Sequence, residues 1–191
     1  MLVIGGFFVM KKILVGVLGV GIIFTLFGCS QVKAHVKSME KPEYEKIEDV
    51  RGILDKVLAH IAESSSELSF ENGELLDSEL GVPHYETLPF SEIEHFNEKD
   101  VVDGFIVRPV VDVENPKLLI VIEAVDKEAC SNLLKGLEKV KSDQMVEFKD
   151  SGILTKYLIN ENKTVRQGNF LFYVTWEKPE EIVKVFERHV K

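Results

Sequence analysis

Cysteine is scarce. The chain of 191 residues has Cys29 and Cys130 and no others, which excludes a disulfide-stapled scaffold and a four-cysteine zinc site. If Cys29 carries lipid, Cys130 has no intramolecular disulfide partner, and the fold must stand on its core. Basic residues are also in short supply: 23 Lys and Arg face 32 Asp and Glu, for a formal net charge of −9. Phosphate backbones repel such a domain, so nucleic acid is excluded as a partner. Catalytic signatures are missing as well. There is no Gly-rich phosphate loop, no Gly-x-Ser-x-Gly, no His-Glu-x-x-His and no Cys-x-x-Cys, so no catalytic residue, metal ligand set or cofactor site is assigned from motifs.

One long apolar run is present. Ile13 to Phe27 is unbroken except for glycines and one threonine, follows Lys11 and Lys12, and closes on Leu26-Phe27-Gly28-Cys29. A positive start, a short apolar core and a small residue at the cut make a secretory signal. A membrane-spanning helix is the competing reading, but it needs about 20 apolar residues. Counting from Met1 lengthens the run only by placing Lys11 and Lys12 in the bilayer, at a cost of about 2.5–3.5 kcal/mol each. Met10 is therefore the expected start of translation. The four residues ending at Cys29 resemble the lipobox of bacterial lipoproteins, with Leu26 and Gly28 in the pattern and Phe27 bulkier than the usual middle residue. The alternative is an ordinary signal peptide that happens to hold a cysteine.

That resemblance implies residues 1–28 as a cleaved signal peptide and lipidation at Cys29, whose thiolate is a strong nucleophile for alkylation. Two acyl chains hold a protein where one is marginal, so the expected location is the cell membrane, lipid-anchored on its extracytoplasmic face. Removing residues 1–28 takes two lysines and no acid, leaving 21 basic against 32 acidic residues. Such acidity serves solubility and disfavours anionic surfaces. Residues 29–46 are polar, contain Pro42 and read as a flexible tether. Residues 47–191 are read as a single domain, the size one ordinary core can serve.

Within it, Ile47, Val50, Leu54, Val57, Leu58 and Ile61 recur at helical spacing and predict a helix over 47–62. From Glu63 to Asp100, serines, Gly73, Gly81, Pro83 and Pro89 break up the apolar pieces, and loops with short helical turns are expected. Phe105 to Val113 reads as a strand, placed at a sheet edge by Pro109, which lacks an amide hydrogen. Asn115-Pro116 turns the chain into Leu118 to Val125, an almost wholly apolar strand inside a sheet. Asp126 is an N-cap for a helix to about Val146, whose buried face is Leu133, Leu134, Leu137 and Val140, with Cys130 on the stripe of Leu133, Leu137 and Val140. Lys163 to Arg166, Gly168-Asn169 and Phe170 to Trp176 repeat the hairpin, and Pro179 opens a last helix. The expected fold is α+β: an antiparallel sheet from two strand-strand-helix units with helices on one face, preceded by an N-terminal helix.

The run Asp103-Gly104-Phe105, Leu118 through Ala124 with Ile122-Glu123-Ala124 at the strand end, the long helix after it, and Arg166-Gln167-Gly168-Asn169-Phe170 resemble the family known as domain of unknown function 4358. The resemblance spans roughly residues 47–191 and lies in the order of elements and the apolar pattern. It implies small lipoproteins, mostly of Gram-positive bacteria, and carries no activity.

Candidate sites are few. His84, Glu92, Glu94, His95, Asp100 and Asp103 could hold a metal if the loop folded back, but their spacing fits no metal pattern, and solvated loop residues are expected. His35 falls in the tether and His189 at the chain end. Asp112, Glu114 and Asn115 suggest calcium only superficially, because the twelve-residue calcium loop is absent, and a turn is expected. Arg108 projects from an apolar strand, where an ion pair with a neighbouring acid is favoured over an anion site. Phe170, Phe172 and Trp176 share one strand face and Tyr173 the other, so packing accounts for them. Cys130 is expected buried and unreactive. Ile120, Ile122, Leu171 and Tyr173 would form an apolar sheet face free of helices, and such a patch marks a contact surface. The leading functional expectation is therefore a non-enzymatic module docking on another envelope protein. A single-domain binder of a small molecule or ion comes second, and a cell-envelope enzyme third.

Overall fold

A computed structural model describes residues 46–110 and 114–190. Helix α1 (Val50–Glu63) starts at Asp49, whose carboxylate accepts from the Gly52 amide at 2.6 Å. Ile47, expected in the helix, instead donates its amide to the His189 carbonyl at 2.8 Å and ties the two ends of the domain together. The next stretch is not the loop its glycines and prolines predict. It holds the hairpin β1 (Leu68–Glu71) and β2 (Glu74–Asp77), the strand β3 (Tyr85–Pro89), and short 3₁₀ turns at Phe90–Glu92 and Glu98–Asp100. Asn72 and Gly73 both have positive φ, 53° and 85°, the backbone that a tight two-residue hairpin turn requires.

The main sheet continues with β4 (Val101–Pro109) and β5 (Leu118–Ala124), then helices α2 (Lys127–Glu147) and α3 (Ile153–Asn160), strands β6 (Lys163–Gln167) and β7 (Phe170–Thr175), and helix α4 (Pro179–His189). Its five strands run β3-β4-β5-β7-β6, every neighbouring pair antiparallel. The strand expected over Phe105–Val113 starts earlier and stops at Pro109. It is not an edge strand, because β3 pairs with it on its outer side. Pro109 is tolerated there because it is the last residue of the strand. Asp126 caps α2 as expected, accepting from the Ala129 amide at 2.9 Å, and Gly168-Asn169 closes the β6–β7 hairpin with Gly168 at φ 60°.

The expected α+β fold and its two strand-strand-helix units, β4-β5-α2 and β6-β7-α4, are present. The helices, however, lie on both faces of the sheet. On one face α1 and α4 cover Val107, Leu119, Val121, Phe172 and Val174; on the other α2 covers Ile106, Ile120, Ile122, Leu171 and Tyr173. The physical reason lies in the central strands. All six residues of β7 are buried, as are five of the seven in β5, and a strand apolar on both sides needs cover on both. Burying such a strand under one helical layer would leave half its side chains in water.

One cross-strand pair works against the sheet. Asp103 lies directly opposite Glu123, and like charges in register repel. Partial burial first, and the Asp103 carboxylate second, raise the Glu123 pKa above its ordinary value. For an acid raised in the native state, stability is greatest below its unfolded pKa and falls as pH rises through the native one. Glu123→Gln is therefore expected to stabilise the domain by about 0.2–1 kcal/mol at neutral pH. Thermal melts at pH 7 and pH 4 check this: the gain should shrink at the acid end, and an equal gain at both would refute it.

Candidate functional site

The apolar face expected to be free for docking is closed. Ile120, Ile122, Leu171 and Tyr173 are each at most 1% exposed beneath α2, and that contact surface is withdrawn. Cys29 and His35 lie outside the described residues, as does Asp112.

Two other places carry surface chemistry. The first is an open cleft of about 640 Å³ between the second half of α2, the segment 92–95 and the β4–β5 connection. Its floor is polar. Gln144 is buried, donates from Nε2 to the Pro116 carbonyl at 2.8 Å, and accepts at Oε1 from the Tyr173 hydroxyl at 2.5 Å and the Thr175 hydroxyl at 3.1 Å. Burial drives the Tyr173 pKa up to about 12, so the phenol remains a donor throughout the physiological range.

The walls of the cleft are charged, and Arg108, Lys117, His95 and Asp143 among them are paired. Arg108 pairs with Glu86 at 2.7 Å across the β3–β4 register, as expected for an arginine on an apolar strand. Lys117 pairs with Glu177 at 2.8 Å and sits 5.2 Å from the centre of the Trp176 ring. Burial opposes the charge on Lys117, yet Glu177 and the Tyr85 hydroxyl raise its pKa above the ordinary value. His95 pairs with Asp143 of α2. That contact depends on Gly136, where a Cβ would lie 2.6 Å from the Phe96 ring and 3.0 Å from the His95 carbonyl oxygen. Only a glycine lets residues 95 and 96 lie so close on the helix.

The residues weighed as metal ligands, for which solvated loop positions were expected, do not converge. Glu92, Glu94 and His95 line the cleft, Asp100 accepts from Asn132 at 3.2 Å, Asp103 faces Glu123, and the His84 ring lies tilted beside Tyr85, centroids 5.1 Å apart. Among the described residues no three His, Cys, Asp or Glu side chains are grouped to hold a metal ion. Asn115 forms the expected turn, accepting from the Lys117 amide at 3.1 Å. Cys130 is fully buried, and burial raises its thiol pKa, which leaves little thiolate at neutral pH. Phe170, Phe172 and Trp176 pack on one side of β7 and Tyr173 on the other, as alternation requires.

The second place is apolar and was not anticipated. Helix α3 buries Leu158 and Ile159 against the domain, while Ile153, Leu154 and Tyr157 stand 89%, 72% and 57% exposed. These three positions lie at i, i+1 and i+4 and so form one outward face. Met145, half exposed, lies across a groove of about 150 Å³ between α2 and α3 that Lys149 and Lys156 also line. A signal was available in the sequence. Five of the eight residues of α3 are apolar, and only Leu158 and Ile159 of them are buried, so its apolar residues outnumber those one buried face takes.

Among the described residues no helix is long and apolar enough to cross a membrane. Compared with protein-family models, with curated proteins and with solved structures, the chain matches none.

Proposed function

We propose that this chain is a bacterial lipoprotein of the kind its resemblance to the domain of unknown function 4358 implies, acylated at Cys29 and held on the extracytoplasmic face of the cell membrane. Its folded domain is a docking module rather than an enzyme, and meets another component of the envelope through α3. The anchor is supported by Lys11, Lys12, the run Ile13–Phe27 and Leu26-Phe27-Gly28-Cys29. The docking role is carried by the exposed Ile153, Leu154 and Tyr157 on one helix face. Three large apolar side chains held together in water mark a contact surface.

Two measurements test the two parts. Cells fed tritiated palmitate should label the full chain and leave the Cys29→Ala form unlabelled; label on both forms, or on neither, overturns the anchor. For docking, Leu154→Cys should react with a water-soluble maleimide several-fold more slowly in intact cells than after release into detergent. Equal rates would show an uncovered helix and end the docking reading.

A second reading, a single-domain ligand binder, is favoured by the cleft above Gln144, with Arg108 and Lys117 on its walls. Pockets of a few hundred Å³ with converging polar groups suit small ligands. It ranks lower because both cations already have carboxylate partners.

A further inference from the structure

We propose that the cleft above Gln144 takes a small organic cation, an amine or guanidinium carried on an apolar body. This rests on the ligand-binding reading above, gives that ligand its charge, and does not depend on what covers α3.

The first observation is which charges are already engaged. Arg108 and Lys117 are bound to Glu86 and Glu177, and His95 to Asp143, so an anion entering the cleft would have to displace a carboxylate from either lysine or arginine. Glu92, Glu94 and Glu147 line the same cleft and make no ion pair among the described residues. The unengaged charge of the cleft is therefore negative. The second observation is where these carboxylates stand. Glu92 and Glu94 belong to the segment after β3, whereas Glu147 is the last residue of α2 and stands on another wall. Among the described residues no three acids are grouped to hold a metal ion, so these carboxylates act as a field over the cleft rather than as a ligand set. Apolar walls concentrate such a field, because they polarise less than water does.

The third observation is the rest of the lining. Ile93, Ile106, Leu118, Val140 and Phe148 line the cleft with apolar surface, and its volume of about 640 Å³ falls among the roughly 300–1,000 Å³ of small-ligand pockets. A bare inorganic cation would leave those side chains facing water. An amine with a hydrocarbon or aromatic body covers them and sets its charge among the carboxylates. At the base, the Gln144 amide is held by Pro116, Tyr173 and Thr175, so the floor is in place before a ligand arrives.

The test titrates the full chain, in nanodiscs of neutral phosphatidylcholine, with three probes of one shape: phenethylamine, phenethyl alcohol and hydrocinnamate, which are positive, neutral and negative at neutral pH. Heats are read by calorimetry against empty discs, which removes partition into lipid. The amine is expected to bind several-fold more tightly than the other two, and added salt should weaken it as screening requires. Glu94→Gln and Glu147→Gln, both at exposed positions, should each reduce that preference several-fold. Glu187→Gln removes an exposed acid of α4 outside the cleft and should leave the preference unchanged. An equal loss in Glu187→Gln would mean that the acidity of the whole surface attracts the amine, and overturns the site. Equal binding of amine and alcohol overturns the cationic class while leaving a ligand cleft. No binding by any of the three overturns the ligand-binding reading as well.

Discussion

Replacing Phe172 with alanine is expected to cost the domain about 3–5 kcal/mol, the loss seen when a fully buried phenylalanine is emptied from a core. Phe172 is fully buried at the centre of β7, with Val121 of β5 and Val165 of β6 as its cross-strand neighbours. Its ring stacks on Phe186 of α4, centroids 4.7 Å apart and planes inclined by 10°. The substitution therefore removes apolar burial and the ring pair together, in a place where strands on both sides prevent collapse. Small domains hold about 5–15 kcal/mol in total, so a large share would vanish. Urea unfolding of the full chain in detergent checks this through a lower midpoint at unchanged slope. Phe172→Leu, which keeps most of the volume, should lose much less, and equal losses would show that packing at this position is not what matters.

The second large effect is expected at Gln144. Gln144→Met keeps the length of the side chain but removes the acceptor for Tyr173 and Thr175 and the donor to Pro116. An unsatisfied buried polar group costs about 1–3 kcal/mol. The two hydroxyls are 3.4 Å apart and can partly satisfy each other, so the expected total is about 2–4 kcal/mol rather than the sum of three full penalties. Adding Tyr173→Phe and Thr175→Val to Gln144→Met should recover much of that loss, because matched apolar groups leave fewer orphans. If the triple variant is no more stable than Gln144→Met alone, the polar network is not the cause. Because Gln144 also joins α2 to the β4–β5 connection, loosening it would open the floor of the cleft.

The closing of the main sheet follows from one rule, that apolar surface must be covered. By that rule Ile120, Ile122, Leu171 and Tyr173 are covered rather than open. Their neighbours Leu119, Val121, Phe172 and Val174 are apolar too, and an alternating strand with one wet face would have shown polar residues at every second position. Uninterrupted apolar runs in β5 and β7 already carried that message. The hairpin β1–β2 was legible in the same way: Asn72-Gly73 between Leu68–Glu71 and Glu74–Asp77 is a strong short-range turn signal.

What the sequence alone determined was local. It set the helix starts at Asp126 and Pro179, the hairpin at Gly168-Asn169, the packing stripe through Cys130 and the pairing tendency of Arg108. Each depends on neighbours a few residues apart or on a period of 2 or 3.6, which the chain displays along its length. Tertiary structure alone decided which helix covers which face of the sheet, the approach of His95 to Asp143 over Gly136, and the meeting of Gln144 with Tyr173 and Thr175, 29 and 31 residues away. It also decided which side of α3 is left bare. Those contacts join positions far apart in the chain, and no local pattern fixes which apolar faces find each other until both sides of β5 and β7 have been covered.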